Sequence, residues 1–296
     1  MSAPSTVPRR ACLVVPGSAA RMLEKARGIA VDEVVIDLED AVAQDAKADA
    51  RLAAVAALAE EFACGTLAVR VNAPGTPWAH EDLVTIGGAA VRPRSVVVPK
   101  VEGAGDLAFV ERLLDGVERA AGYTEPLRVQ ALVETARGLR ALDEIAAASP
   151  RLEAILLGYA DLGASLGRSR AGAATIDLWL AVQDSVLSAA RSGRLQAIDG
   201  PHLSISDEAG VHAAAARAAD LGFDGKWVIH PSQIAPVTAA FTPAPEELER
   251  ARAVLDALAA AERDGRGAVS LHGEMLDEAV RVAALRTVAR AEATRA

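Results

Sequence analysis

Two carboxylates, Glu134 and Asp161, have the residue type and spacing best suited to chemistry in this chain. Each closes a short apolar segment, LRVQALVET from Leu127 and LEAILLGYADL from Leu152, and residues 136–149 predict one helix between them. In a strand–helix–strand unit the two strands run parallel and usually lie side by side, ~4.8 Å apart. Carboxylates at matching strand ends can therefore share one small cation. Two protein oxygens with open positions for water and substrate favour Mg²⁺ over Zn²⁺ or Ca²⁺.

Polar side chains also follow most of the other apolar segments. They are Asp37, Glu39 and Asp40; Arg70 and Asn72; Lys100 and Glu102; Asp199 and His202; and His230 and Gln233. Each has a structural explanation when taken alone, such as a rim salt bridge or, for Asp161, a helix cap. Together they place charge at seven of the eight segment ends, which indicates one shared site.

Arg70 is the cation of this set that most suggests a function. It lies between Val69 and Val71 at the end of a buried segment, where a guanidinium needs an anion. That anion is either an acid of the neighbouring DLED segment or a substrate oxygen, and we favour the substrate. Lys100 has the chemistry for a Schiff base, but a charged structural role is favoured. For His230 we favour a hydrogen-bonded cap over an acid–base role.

Eight apolar segments that alternate with helical patterns must position these residues. They begin at Ala11, Glu33, Thr66, Ser95, Leu127, Leu152, Gln196 and Gly225. Their nearly continuous β-branched composition indicates strands buried on both faces, as in parallel sheets. The pattern predicts an α/β fold, a (β/α)₈ TIM barrel. An open dinucleotide-binding sheet would carry G-x-G-x-x-G after the first strand, where this chain has PGSAAR.

Beyond Phe241 the pattern becomes purely helical. Residues 243–263 predict one amphipathic helix, Gly265 to Gly267 a turn, and residues 273–291 largely a second helix. We therefore predict a catalytic barrel over residues 1–241 and a C-terminal helical extension over 242–296. The extension looks too small for a core of its own, so we expect it to pack on a neighbouring subunit.

Composition narrows the classes of protein. Hydrophobic residues make up 51% of the 296 residues and aromatics only 3%, which predicts a core of Val, Leu, Ile and Ala. The net charge of −9 argues against general nucleic-acid binding. No apolar run reaches the ~18 residues of a membrane span, and no apolar stretch precedes the first arginines as in a secretory signal. Cys12 and Cys64 fit no metal spacing and indicate a reducing compartment, so we expect a cytoplasmic protein.

Eight motifs, in order along nearly the whole chain, carry a family likeness: RRACLVVPG, VVIDLEDAV, VRVNAPGTPW, VVVPKVE, ALVETARG, GYADLGASLG, GFDGKWVIHPSQI and GEMLDE. They resemble the citrate lyase β-subunit-like family, which includes malyl-CoA and citramalyl-CoA lyases, within the pyruvate and phosphoenolpyruvate barrel superfamily. The resemblance implies a Mg²⁺-dependent lyase that cleaves a 3-hydroxyacyl-CoA dicarboxylate to an acyl-CoA and a 2-oxo acid. It also implies a homotrimer or a hexamer.

The same resemblance implies roles for individual residues. Glu134 and Asp161 would hold the metal, with Glu134 also at the substrate, and Arg70 would bind substrate and stabilise an enolate. Arg10, Arg21 and Lys25 match the region that meets the CoA phosphates. Several relatives have an acid where this chain has His272, in a segment that reaches a neighbouring subunit's site. The role of that acid as proton donor then either falls to His272, which we expect, or is lost in this chain.

The mechanism that these residues suggest is a retro-Claisen cleavage. Arg70 would meet the developing enolate charge, and Glu39 or Asp40 would serve as the base or orient it. The sequence leaves three alternative functions open: a subunit of a multi-enzyme citrate lyase, an acyl-CoA thioesterase, and a non-catalytic acyl-CoA-binding barrel.

Overall fold

The computed structural model describes residues 7–168, 176–263 and 265–293. Eight parallel strands form a closed barrel in chain order, and the first strand pairs with the eighth. The strands are β1 (Ala11–Pro16), β2 (Glu33–Asp37), β3 (Thr66–Arg70), β4 (Ser95–Val98), β5 (Arg128–Val133), β6 (Leu152–Leu157), β7 (Gln196–Asp199) and β8 (Gly225–Val228). Each begins within one residue of a predicted segment start, so the (β/α)₈ prediction is confirmed.

Helices follow the strands around the outside of the barrel. They are α1 (Ala20–Arg27), α2 (Lys47–Leu58), α3 (Ala79–Gly87), α4 (Ala104–Ala121), α5 (Ala136–Arg140), α6 (Leu142–Ala146), α7 (Tyr159–Ser165), α8 (Ile176–Ser192), α9 (Glu208–Leu221) and α10 (Ile234–Phe241). The single helix predicted over residues 136–149 is wrong. The backbone of Ala141 leaves helical geometry at φ −102° and ψ 14°, and splits the segment into α5 and α6.

The barrel interior is arranged in layers because alternate residues of each strand point inward. The middle layer is apolar and includes Cys12, Val35, Leu132 and Trp227. As predicted, Val, Leu, Ile and Ala form most of the larger core between strands and helices. At the amino ends of the strands, buried Arg9 instead pairs with Glu33. The layer at the carboxyl ends is charged, and it contains the candidate site.

The C-terminal arm consists of α11 (Pro245–Arg263), a hairpin of β9 (Val269–Leu271) and β10 (Glu274–Leu276), and α12 (Glu278–Ala293). The hairpin is a correction, because residues 273–276 were predicted as helix. Its turn has positive φ at both central residues, His272 (51°) and Gly273 (84°), the geometry that suits a two-residue hairpin.

The arm buries a small apolar cluster between its own elements: Ala251, Val254, Leu258, Leu276 and Ala284. On the barrel side, the Arg290 guanidinium donates to the carbonyl oxygen of Phe223 at 2.7 Å. The arm thus has more internal packing than the sequence suggested. Met275, Val282 and Leu285 nevertheless leave more than half of their surface exposed. The division at residue 241 and the docking of the arm on another subunit stay predictions.

In the part of the chain that the structure describes, no helix combines the length and the apolar character needed to cross a membrane.

Candidate active site at the carboxyl ends of the strands

The pair of Asp37 and Arg70 lies at the carboxyl ends of β2 and β3, whose register places these residues side by side. Arg70 donates from Nε to Oδ1 of Asp37 at 2.7 Å and from Nη2 to Oδ2 at 2.6 Å. Its Nη1 lies 3.0 Å from Oε2 of Glu39. A guanidinium has five N–H donors. Asp37 takes two of them as hydrogen bonds, so each terminal nitrogen keeps at least one N–H for a substrate. Both partners that the sequence left open, the DLED acids and a substrate, are compatible with this geometry.

Lys100 links the carboxylates of the site to one another. Its backbone N–H donates to Oε1 of Glu134 at 3.1 Å. Its ammonium donates to Oε1 of Glu39 and to Oδ2 of Asp40, the latter at 3.1 Å, and lies 3.7 Å from Oδ1 of Asp161. The backbone of Lys100 is left-handed, with φ 51°. Such strain in a residue other than glycine is typical of functional sites, and the contacts support a charged structural role over a Schiff base.

Glu134 follows β5 and is buried, with 2% of its surface exposed. Its carboxylate extends over the end of β6, where a Cβ on residue 158 would lie 2.4 Å from its Oε2. Gly158 is therefore required for this approach. Asp161 is the third residue of α7 and is 38% exposed, so it lies in the first helical turn and not at the strand end. Glu134 and Asp161 contact the same lysine, Lys100.

The negative charges of this cluster outnumber the positive ones. Among the described residues, five carboxylates face three cations, Arg70, Lys100 and Lys47; the carboxylates are those of Asp37, Glu39, Asp40, Glu134 and Asp161. The fully ionised cluster thus carries two surplus negative charges, the charge that one divalent cation neutralises. Burial, together with the charges of Glu39 and Asp161, raises the pKa of Glu134 to about 8.

The donor set fits Mg²⁺ by its chemistry, since Glu134 and Asp161 offer hard carboxylate oxygens and both lie at Lys100. Among the described residues, no group of three His, Cys, Asp or Glu side chains is arranged to enclose a metal ion. The pair Glu134 and Asp161 is therefore the candidate ligand set.

The other predicted site residues divide between the two ends of the barrel. Arg21 and Lys25 are exposed on α1, which follows the carboxyl end of β1. Arg10 instead precedes β1 at the amino ends of the strands, where its guanidinium contacts Asp32 at 2.8 Å and Thr242 at 2.9 Å. Within one protomer, Arg10 is thus separated from the carboxylates and is engaged in structural pairing, so its position gives no support to a role at the CoA phosphates.

The two remaining candidates are histidines outside the cluster. His272 lies on the exposed turn between β9 and β10, and no contact within the described ranges links it to the carboxylates of its own chain. The ring of His230 accepts from the backbone N–H of Ser232 and caps the short helix Pro231–Gln233. The favoured structural role of His230 is thereby confirmed.

One residue that sequence reasoning missed is Lys47. Its buried ammonium donates to the carbonyl oxygens of Leu38 at 2.8 Å and of Glu39 at 2.7 Å. These bonds fix the loop that carries Glu39 and Asp40. Burial lowers the pKa of Lys47. The eight-residue spacing from Glu39 to Lys47, across a loop and into a helix, was the only available signal, and it does not specify a contact.

Comparison with known proteins identifies the family. Residues 10–231 match the model of the HpcH/HpaI aldolase/citrate lyase family. An L-malyl-CoA/β-methylmalyl-CoA lyase of Cereibacter sphaeroides is 37% identical, over 93% of this chain and 92% of its own. A (3S)-malyl-CoA thioesterase of the same species is also 37% identical, over 97% and 95%.

Among solved structures, the protein CitE of Mycobacterium tuberculosis, in complex with magnesium, acetoacetate and coenzyme A, is 34% identical. It superposes with a TM-score of 0.77 and covers 97% of this chain and 100% of its own. Matches of this extent over both chains leave one assignment. The chain belongs to the HpcH/HpaI aldolase/citrate lyase family.

Proposed function

We propose that this protein is a Mg²⁺-dependent carbon–carbon lyase that cleaves a 3-hydroxyacyl-CoA dicarboxylate of the malyl-CoA type to an acyl-CoA and a 2-oxo acid. The observation that carries the proposal is the convergence of Glu134, Asp161 and Arg70 at one end of the barrel. A metal-binding carboxylate pair beside a guanidinium with free donors suits a substrate with an α-hydroxy acid at one end and a thioester at the other. The lyase and CitE relatives agree with this class of substrate.

Glu134 and Asp161 are the residues that would hold Mg²⁺. When bound, the ion polarises the substrate's hydroxyl and carboxylate oxygens. Lys100 keeps Glu39, Asp40 and Asp161 in one arrangement through its ammonium contacts. Its backbone N–H orients Glu134. Because these positions are fixed before substrate arrives, the site needs little rearrangement during the reaction.

Glu39 and Arg70 perform the proton and charge steps in this proposal. Glu39 is 4% exposed, and burial raises its pKa, which makes it a better proton acceptor than exposed Asp40. Glu39 takes the proton of the substrate hydroxyl, the carbon–carbon bond breaks, and the hydroxyl carbon becomes the carbonyl of the 2-oxo acid. The electron pair of that bond moves onto the thioester as an enolate. The two free N–H donors of Arg70 stabilise the enolate oxygen.

The enolate carbon then needs a proton, which we assign to His272 of a neighbouring copy. A histidine with an ordinary pKa near ~6.5 can donate at neutral pH. His272 is exposed on a hairpin whose next strand carries Met275, with 74% of its surface exposed, a combination suited to docking on another chain. We propose a homotrimer, or a hexamer built from it, in which Arg21 and Lys25 of α1 meet the CoA phosphates.

A thioesterase is the second candidate, because one relative with 37% identity is a (3S)-malyl-CoA thioesterase. The two reactions share a substrate and differ in the bond that breaks. Hydrolysis releases free CoA thiol and the intact hydroxy acid. Cleavage between carbons releases a 2-oxo acid and leaves the thioester whole.

The deciding experiment is to incubate the purified chain with malyl-CoA and Mg²⁺, and to measure free thiol, acetyl-CoA and glyoxylate separately. Equal amounts of acetyl-CoA and glyoxylate, lost with EDTA and in Asp161→Asn, are expected. Free thiol with malate and no glyoxylate would establish the thioesterase. No turnover by the chain alone, but turnover with an acyl-carrier thioester, would indicate a citrate lyase subunit. If neither thioester reacts, the chain is not the lyase we propose.

A further inference from the structure

A buried chain of polar contacts lies behind α7, on the side away from the barrel interior. Ile198 and Trp227 belong to the interior layer, so their strand neighbours Asp199 and Lys226 point outward. Lys226 is 1% exposed, and its ammonium donates to Oδ2 of Asp199 at 2.6 Å and to the carbonyl oxygen of Gly200. The pair is neutral as a whole, and it supplies a fixed carboxylate at the end of β7.

Tyr159, the first residue of α7, uses that carboxylate. Its hydroxyl donates to Oδ1 of Asp199 and accepts from Nε2 of Gln183, the latter at 2.7 Å. Its ring meets the ring of Trp179 edge to face, with centroids 5.0 Å apart. A Cβ on residue 200 would lie 2.7 Å from the Tyr159 ring, so Gly200 makes room for it. The tyrosine is thus held by contacts at both its ring and its hydroxyl.

The helix that begins with this tyrosine carries Asp161 two residues later. α7 has only seven residues, too few to hold its own position without packing contacts. Gly158, which directly precedes α7, lies against the Glu134 side chain. The distance between the carboxylates of Glu134 and Asp161 therefore depends on where the first turn of α7 is anchored, and Tyr159 is the buried side chain at that point.

We infer that Tyr159, held by Asp199 and Lys226, is a positioning residue that sets Asp161 against Glu134 for the divalent cation. The inference rests on the proposed metal site. Loss of the tyrosine hydroxyl would leave the fold and both ligands in place but allow the first turn of α7 to shift. Removing groups that orient metal ligands typically weakens metal binding 10–100-fold, and we expect Tyr159→Phe to weaken it by about 10-fold or more.

The chain contains a matched control, since it has two tyrosines. The Tyr123 hydroxyl donates to the carbonyl oxygen of Ala89 at 2.6 Å, between the end of α4 and the segment after α3. Tyr123→Phe removes the same atom from a residue outside the site. Mn²⁺ is the probe, titrated into the full-length protein without substrate and followed by electron paramagnetic resonance.

Four proteins are compared with wild type: Tyr159→Phe, Tyr123→Phe, Gln183→Met and Asp161→Asn. We expect Asp161→Asn to abolish binding, Tyr159→Phe to raise the Kd about 10-fold or more, and Tyr123→Phe to leave it unchanged. Saturating metal should restore most of the kcat of Tyr159→Phe. If Tyr159→Phe does not fold, Gln183→Met, which removes one bond to the same hydroxyl, should still raise the Kd.

A wild-type Kd for Mn²⁺ in Tyr159→Phe would overturn the inference and leave the proposed metal site intact. If Tyr159→Phe does not fold, a wild-type Kd in Gln183→Met has the same meaning. Equal weakening in Tyr123→Phe would overturn it too, since the effect would then be general. Undiminished binding by Asp161→Asn would instead overturn the proposed metal site.

Discussion

Replacement of Arg70 by lysine separates its pairing with Asp37 from its proposed role, stabilisation of the enolate. Arg70 makes two hydrogen bonds to Asp37 and one ion pair to Glu39. One ammonium cannot reproduce this planar fork. Arg70→Lys therefore loses about two charge-assisted contacts, each worth about 1.5–3 kcal/mol. Asp37 keeps the backbone N–H groups of Glu39 and Ala41 as donors. We thus expect the free energy of unfolding to fall by about 3–4 kcal/mol, the lower part of the range of about 3–6 kcal/mol to which two such contacts amount.

The catalytic loss should be separate from this loss of stability. Removal of one preorganised donor to a developing oxyanion typically lowers kcat by ~10²–10³, which corresponds to ~2.7–4 kcal/mol of barrier. We expect a loss of that size in Arg70→Lys, measured by glyoxylate formation at saturating malyl-CoA and Mg²⁺. Urea unfolding of the same sample gives the change in stability.

Arg151→Lys is the matched control. Arg151 is similarly buried, with 6% of its side chain exposed against 11% for Arg70, and it also pairs with two carboxylates, Glu118 and Asp115. It precedes β6, at the opposite end of the barrel. We expect a comparable loss of stability with an unchanged kcat. Wild-type kcat in folded Arg70→Lys would refute the enolate role, and wild-type stability would refute the importance of the Asp37 pair.

Three other predictions concern the metal pair and the arm. Asp161→Asn and Glu134→Gln should each abolish Mg²⁺-dependent turnover with the fold intact by circular dichroism; near-native activity in either would remove that residue from the site. Burial raises the pKa of Glu134 to about 8, from an ordinary 4.5, so folding favours its protonated form. In EDTA, the contribution of Glu134 to the free energy of unfolding should be full below pH ~4.5 and be lost as pH rises through about 8, by a few kcal/mol at most. Urea unfolding between pH 5 and 9 measures this pH dependence, and Glu134→Gln should remove it. The same pH dependence in wild type and variant would contradict the assignment. Mixing inactive Asp161→Asn with inactive His272→Ala should restore part of the activity, because some sites then combine both intact halves; a monomer by light scattering, or a fully active His272→Ala, would refute the shared site.

The barrel strands were predictable because buried parallel strands are continuous β-branched runs. Segments such as EVVID and SVVV are too short and too apolar for an exposed helix. The hairpin of the arm was not predictable in the same way. Its strands have three residues each, and the positive φ of His272 has no sequence signature. The break at Ala141 is likewise invisible, since alanine favours helix and only tertiary packing interrupts it.

The candidate site was predictable as a set of residues but not as a set of contacts. Strand ends identified Glu134 and Arg70, because a (β/α)₈ barrel gathers its carboxyl ends at one face. The sequence does not specify that Asp37 accepts from both Nε and Nη2 of Arg70, or that Lys100 turns its backbone N–H toward Glu134. These contacts depend on side-chain direction and on a left-handed residue, which local patterns do not encode.

In the proposed mechanism, the distribution of charge gives the cation a role in substrate binding as well as in chemistry. The acids and Arg70 come from β2 to β6 and the segments after them, whereas Trp227 of β8 lies beside Arg70, 5.5 Å from its guanidinium. With Glu134 ionised, two surplus negative charges would face a substrate whose carboxylate is itself an anion. At ~4 Å and an effective dielectric near 20, each such pair would repel by ~4 kcal/mol. If Glu134 and Asp161 hold a divalent ion as proposed, its charge would turn that repulsion into attraction at the carboxylate end and leave Arg70 free for the thioester end. In the proposed site the metal and Arg70 would thus hold opposite ends of the substrate, with the carbon–carbon bond that breaks lying between them.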